Sequence, residues 1–249
     1  MTDKADTMLY LNGVSVSFDG FKALNSLSII VHPNEMLAII GPNGAGKTTM
    51  MDIITGKTRP DDGEVFFDGR TDLTTLDEAT IANLGIGRKF QKPTVFESHT
   101  VWDNLVLALK KPRGVFNALF YSASGEDTAR IGEILDTVRL TSRKDDLAAD
   151  LSHGQKQWLE VGMLLAQDPK LLLVDEPVAG MTDAETVETA KLLKEIARTR
   201  SVVVVEHDMR FVRELGTRVT CLAEGSVLAE GTLDAVSANP VVIERYLGR

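Results

Sequence analysis

Residues 36–49, MLAIIGPNGAGKTT, constrain the fold of this chain more than any other stretch. Five apolar residues, Met36, Leu37, Ala38, Ile39 and Ile40, run straight into a glycine-rich turn, Gly41-Pro42-Asn43-Gly44-Ala45-Gly46. Lys47, Thr48 and Thr49 follow, and then Met50, Met51, Ile53 and Ile54 in a pattern that suits a helix. A G-x-x-x-x-G-K-[ST] run between a strand and a helix is a phosphate site on physical grounds. Glycines let the backbone curl so that successive N–H groups form a nest for anionic oxygens. The helix N-terminus adds the positive end of its dipole. In such a loop Lys47 reaches the β- and γ-phosphates and the Thr48 hydroxyl sits on Mg²⁺, so ATP and Mg²⁺ are the expected ligands.

At 249 residues the chain can bury a large core, as one domain or as a domain with a subdomain. Its net charge of −9 speaks against a general nucleic-acid binder. It does not speak against ATP, which needs local donors rather than global charge. A single cysteine, Cys221, excludes an internal disulfide and fits a reducing compartment. The N-terminal MTDKADT lacks an apolar signal region, and no apolar run approaches a membrane span. The expectation is a cytoplasmic protein whose membrane role comes through a partner.

Upstream of the loop, residues 8–31 alternate apolar and polar, which reads as antiparallel strands joined at Asp19-Gly20. Phe18 and Phe21 flank that turn, and either one is a candidate to stack on an adenine ring or to pack the turn. Downstream, Val65-Phe66-Phe67 reads as a short strand, and residues 81–87 lead to Arg88-Lys89-Phe90-Gln91-Lys92-Pro93. Gln91, after a strand and near a proline, is a candidate to ligate a cation or to position water. Residues 101–147 look helical, with Val101, Leu105, Leu107, Leu109, Ile131, Ile134, Leu135, Val138 and Leu140 at helical spacing. Between these runs, residues 112–121 carry three aromatics, read as a packed helix or a docking patch.

Three later stretches carry chemistry. Leu151-Ser152-His153-Gly154-Gln155 opens an amphipathic helix, with Ser152 both a good N-cap and part of a second anion site. Residues 170–177, KLLLVDEP, form an apolar run without alternation, as in a parallel strand buried on both faces. Its two carboxylates fall where open α/β sheets place their sites: Asp175 to hold Mg²⁺ through water, Glu176 to orient or deprotonate an attacking water. Thr182-x-x-Glu185 is a capping box. A last buried strand, Val202-Val203-Val204-Val205, ends near His207, a candidate polar sensor of the γ-phosphate. Strands at 219–222 and 226–228 and a helix at 241–247 complete the chain.

Taken in order, the loop at 41–49, Gln91, LSHGQ at 151–155, the acidic strand end at 171–176 and His207 resemble the motif set of ABC-type ATPases over nearly the whole chain. The resemblance implies an α/β P-loop fold with a mixed sheet core, an antiparallel β part and a helical subdomain. It places the core and β part in residues 1–91 and 151–249 and the helical subdomain in 92–150. It implies that two subunits sandwich each ATP between the phosphate loop of one and the signature run of the other. By matching position it makes Phe18 the adenine-stacking aromatic, Gln91 the Mg²⁺-sensing glutamine, Glu176 catalytic and His207 the switch histidine. Ser152, Gly154 and Gln155 become the signature contacts. The signature reads Ser-His-Gly where the family has Ser-Gly-Gly, so His153 adds bulk beside the partner's ATP. Thr182 stands where the family has an aspartate that contacts across the dimer.

More narrowly, residues 87–97, 151–165, 176–183 and 244–249 resemble ATP-binding subunits of branched-chain amino acid and amide importers, and among them those serving urea. The implied function is ATP hydrolysis driving import of urea, with branched-chain amino acids as the alternative cargo. The implied partners are a second ATPase subunit (a paralogue, or a second copy), membrane permease subunits and, indirectly, a substrate-binding protein, with no nucleic acid. The chain would sit peripherally on the inner face of the cell membrane. A non-transport ABC ATPase on a soluble assembly competes with this reading, but the acidic balance and the lack of an inserted coiled coil oppose DNA work. Intact Lys47, Asp175, Glu176 and His207 oppose a regulatory subunit without turnover.

Overall fold

Alternation and buried runs lay out the elements much as the sequence suggests. The computed structural model describes residues 4–89, 94–110 and 124–247. Its strands and helices begin with β1 (Leu9–Phe18), β2 (Phe21–Val31), β3 (Met36–Ile40), α1 (Lys47–Ile54), β4 (Asp62–Phe67), β5 (Thr71–Asp72), α2 (Glu78–Leu84) and β6 (Ile86–Lys89). Three helices follow, α3 (Val101–Ala108), α4 (Gly125–Thr137) and α5 (His153–Ala166), then β7 (Leu171–Asp175), α6 (Asp183–Ile196) and β8 (Ser201–Val205). The chain continues through α7 (Met209–Leu215), β9 (Arg218–Ala223), β10 (Ser226–Gly231), α8 (Leu233–Ser237) and α9 (Pro240–Val242) to a π-wound turn at Ile243–Leu247.

The antiparallel sheet has the order β2-β1-β4-β5. β1 and β2 pair from Leu9↔Val31 to Phe18↔Phe21. Asp19 at φ 48° and Gly20 at φ 84° supply the two positive φ values that a tight two-residue hairpin needs. The six-stranded sheet runs β10-β9-β3-β8-β7-β6, and its β3, β6, β7, β8 and β9 pair in parallel while β10 returns antiparallel. Every residue of β3, β7 and β8 is buried, as their unbroken apolar runs require. Parallel strands in the order β3-β8-β7 bring their three C-terminal ends side by side. Those ends continue into the phosphate loop, into Glu206-His207 and into Asp175-Glu176.

The helical stretch expected over residues 101–147 is two described helices, α3 and α4, and it ends early. Arg139 takes φ 60°, which stops the α4 turn, so Val138 and Leu140 are buried but lie past the helix. Leu107, at helical spacing, is 58% exposed, and Leu109 is the residue that ends α3. Both helices pack on α5 through Val101, Leu105, Ile131 and Leu135 against Leu159, in one apolar cluster with Leu172 and Val174 of β7. Gly162 of α5 admits this approach, since a Cβ there would stand 3.1 Å from Leu105 Cδ2. The helix expected at 241–247 is one short α turn followed by the π-wound turn. The aromatic stretch at 112–121 lies outside the described residues. Among the described residues, no helix is long and apolar enough to cross a membrane.

Candidate functional site

The phosphate loop leaves the C-terminal end of β3 and closes on α1. Gly41, at φ 149°, lies against the carbonyl of Leu222 so tightly that no Cβ would fit. Gly46, at φ 97°, is the residue before α1, and a Cβ there would meet Leu24 Cδ2 at 2.6 Å and Ala23 O at 2.7 Å. The loop is thus wedged between β9 and the hairpin of the antiparallel sheet. Because Gly46 has no side chain, α1 begins without a side-chain cap. The first N–H groups of a helix have no intrahelical acceptor, so α1 offers them to a ligand. The Lys47 ammonium donates to Gly41 O at 2.7 Å and Pro42 O at 2.9 Å, folding back over the loop. Burial lowers the Lys47 pKa, while the Glu176 and Asp175 carboxylates pull it back up.

Around this loop lies an open cavity of about 370 Å³, lined by Asn43 to Thr49, Asp175 and Glu176, and at its rim by Phe18 and Phe21. Both phenylalanines are exposed, Phe18 by 46% and Phe21 by 66%. Asp175 is buried, and burial raises its pKa against the opposing pull of the Arg88 guanidinium, which approaches to 3.8 Å and also pairs with Asp52. Glu176 takes φ 46°, a left-handed backbone that strains a side-chain-bearing residue and recurs at functional sites. Its N–H donates to Val205 O at 2.9 Å, which fixes the strand end.

A second opening of about 430 Å³ adjoins the first and is lined by Gly41, Pro42, Asn43, Glu176, His207 and Tyr246. His207 Nδ1 lies 3.5 Å from Glu176 Oε1. The loop carrying His207 is held from beneath by Glu206, whose Oε2 accepts the N–H groups of His207 at 2.8 Å and Asp208 at 3.1 Å. Burial raises the Glu206 pKa against those same hydrogen bonds. Thr48, Asp175 and Glu176 supply hard oxygen donors in one cavity, and no group of three or more His, Cys, Asp or Glu side chains among the described residues could hold a metal alone. That donor set fits Mg²⁺, which keeps several waters and shares a nucleotide's phosphates instead of an all-protein cage.

The structure therefore brings together Phe18, residues 41–49, Asp175, Glu176 and His207. It does not bring Ser152, Gly154 and Gln155 to either cavity. They sit at the N-terminus of α5, where Ser152 and Gln155 satisfy each other in a capping box: the Ser152 hydroxyl accepts Gln155 N–H at 3.2 Å, and Gln155 Oε1 accepts Ser152 N–H at 3.0 Å. Gln91 lies outside the described residues. Sequence reading missed Tyr246 and Arg88. Tyr246 stands 39 positions after His207 and had no local pattern to mark it. Arg88 sat in a basic run that reads equally well as surface.

Comparison with known proteins agrees with this geometry. The family model described as "ABC transporter" matches residues 24–179. A probable branched-chain amino acid transport ATP-binding protein LivG from Archaeoglobus fulgidus is 36% identical, covering 97% of this chain and 95% of that protein. Among solved structures, a nucleotide-free ATP-binding cassette from an ABC transporter superposes with a TM-score of 0.84 at 30% identity, covering 98% of this chain and 100% of that one. A dimeric bacterial ABC transporter cassette superposes with a TM-score of 0.76 at 28% identity, covering 91% and 99%.

Proposed function

This chain belongs to the ABC transporter family, and on that premise we propose that it is the ATP-hydrolysing subunit of an importer, working as one of a pair. One observation carries the reading. An uncapped helix end, a lysine and two carboxylates converge on one open cavity from adjacent strand ends.

In this proposal Phe18 stacks on the adenine. The N–H groups of residues 43–49 and the Lys47 ammonium take the β- and γ-phosphates, Lys47 exchanging two loop carbonyls for phosphate oxygens. Thr48 and Asp175, with Gln91, would hold Mg²⁺, which when bound neutralises charge developing on the phosphates. Glu176 orients a water and accepts its proton as the water oxygen bonds to the γ-phosphorus and the bond to the bridging oxygen breaks, leaving ADP and phosphate. His207, 3.5 Å from Glu176 Oε1, steadies that carboxylate and faces the γ-phosphate.

Ser152, Gly154 and Gln155 contact the ATP of a second subunit, an arrangement supported by the likeness to a dimeric cassette. ATP that touches both subunits only when they close shifts the population toward the closed pair. That partner is a paralogue or a second copy, and the pair acts on permease subunits at the inner face of the cell membrane, fed by a substrate-binding protein. For the cargo, the relatives' names support branched-chain amino acids ahead of urea, which rests on sequence resemblance alone. Uptake of labelled leucine and labelled urea in cells carrying this chain or its Glu176→Gln form separates the two. Loss of leucine uptake alone supports the first, loss of urea uptake alone the second, and loss of neither overturns the importer reading for both cargoes.

A further inference from the structure

We infer that His153 is a positioning residue: its imidazole holds the segment that follows Glu176, and so ties the helix end serving one nucleotide to the carboxylate serving the other. The inference rests on the roles proposed above for Glu176 and for paired subunits, and adds to them a residue that those roles do not need.

His153 Nε2 lies 3.1 Å from Ala179 O and 3.3 Å from Gln157 Nε2. A carbonyl oxygen only accepts, so Nε2 carries the proton. A protonated Nε2 cannot also accept from the Gln157 amide. Gln157 Oε1 is buried and, among the described residues, without a hydrogen-bond partner. Turning the amide end for end brings Oε1 to the imidazole, and one N–H then serves both acceptors. The Ala179 carbonyl, on the 177–182 segment, thereby sets the tautomer, and the Gln157 amide of α5 lies against the same ring nitrogen.

That segment is also held by Val178 N–H, which donates to the Glu206 carboxylate, and by the Thr189 hydroxyl, 3.3 Å from Met181 Sδ. Within it, Ala179 N–H donates to Glu176 O at 3.3 Å and Met181 N–H to Val178 O at 3.1 Å. Gly180, at φ 74°, lies beside the His153 ring, where an added Cβ would make ordinary van der Waals contact at 3.5 Å. The segment starts at Glu176, whose left-handed φ has to be held by its surroundings. It ends at Thr182, whose N–H and hydroxyl both donate to Glu185 Oε2, at 3.0 and 2.9 Å. The other oxygen of Glu185 accepts the Ser152 hydroxyl at 2.9 Å. Gly154 permits that contact, since a Cβ there would stand 2.5 Å from Glu185 Oε1. The starts of α5 and α6 and the segment between Glu176 and α6 thus form one block, in which His153 is the tie from α5 to the stretch just after Glu176. A phosphate from a second subunit arriving at Ser152 and Gly154 would act on Glu176 through this block.

The test compares His153→Gly, His153→Leu and His153→Gln in the full chain. ATP turnover is followed against ATP concentration, and binding of a non-hydrolysable ATP analogue is measured at protein concentrations where the chain is monomeric. Removing the donor with Gly or Leu should leave monomer affinity within about twofold, lower kcat about fivefold, the scale of one hydrogen bond, and lower the Hill coefficient. Gln, whose amide Nε2 reaches about as far as the imidazole Nε2 and keeps an N–H donor there, should restore most of kcat and of the Hill coefficient. Leu fills the imidazole's space, so its loss cannot come from a void. Wild-type kcat and cooperativity in His153→Leu, or a Gln variant as impaired as the Leu variant, would overturn the inference. Absence of turnover in the unchanged chain would instead fall on the proposed function.

Discussion

Two helix N-termini in this molecule are finished in opposite ways. α1 starts at Gly46 with no side-chain cap, its free N–H groups and Lys47 turned toward an open cavity. α5 starts at Ser152 with its cap complete and with the serine hydroxyl also donating to Glu185. The first end is ready for phosphate in the single chain. The second is satisfied from within, and a ligand there must offer more than the caps it displaces. In the proposed pairing, the difference would explain how one chain carries a nucleotide site and half of another, the open half binding alone and the capped half waiting for what a second subunit brings.

The comparison can be tested from its strongest point to its weakest. Glu176→Gln, at the junction of the two ends, should lower turnover by roughly two to four orders of magnitude while ATP still binds, and should enrich closed dimer. Retained hydrolysis in a steady-state assay would remove Glu176 from proton transfer. Lys47→Ala breaks the open end: losing charge-assisted bonds of about 1.5–3 kcal/mol each should weaken ATP binding by about a hundredfold in calorimetry. Near-normal affinity would refute the phosphate-loop assignment. Ser152→Ala breaks the capped end: loss of the cap should cost about 1 kcal/mol in denaturant unfolding, with monomer ATP affinity unchanged. A weakened monomer would show that the two ends serve the same nucleotide. The smallest effect tests the wall behind the open end. Burial pushes the Cys221 thiol up to about 11, so a thiol reagent at neutral pH should label it only slowly, with or without ATP. Rapid labelling of the folded chain would mean that β9 opens behind the loop.

What the sequence disclosed follows the same division between local and distant. The phosphate loop is a contiguous string whose chemistry is local, and the structure keeps Asn43 through Thr49 on one cavity wall. The caps at Ser152 and Thr182 are four-residue patterns and were legible for the same reason. The convergence of Asp175, His207 and Lys47 needed the order of the strands, which no single stretch contains. His153 could be seen as an odd residue, but its partner Ala179 is 26 positions away and is a backbone carbonyl, which carries no residue signature. The helical reading of 101–147 failed at its edges because spacing marks a face and not an end: Arg139 leaves helical φ while Leu140 stays on the apolar side. Cargo was illegible for a different reason, since in the proposed assembly no residue of this chain touches it.

The parallel pairing also decides when the site can exist. β3 is flanked by β8 and β9, in register from Met36↔Val202 and Leu37↔Arg218, although more than 160 positions separate the partners. Such long loops must close before the pairing repays them, which makes the sheet centre a late event in folding. A ribosome would have to release most of this chain before β3, which leads into the phosphate loop, gained both of its strand neighbours. Nucleotide affinity then reports completion of the sheet, and cellular ATP, by binding only the finished form, draws the last steps of folding forward by mass action.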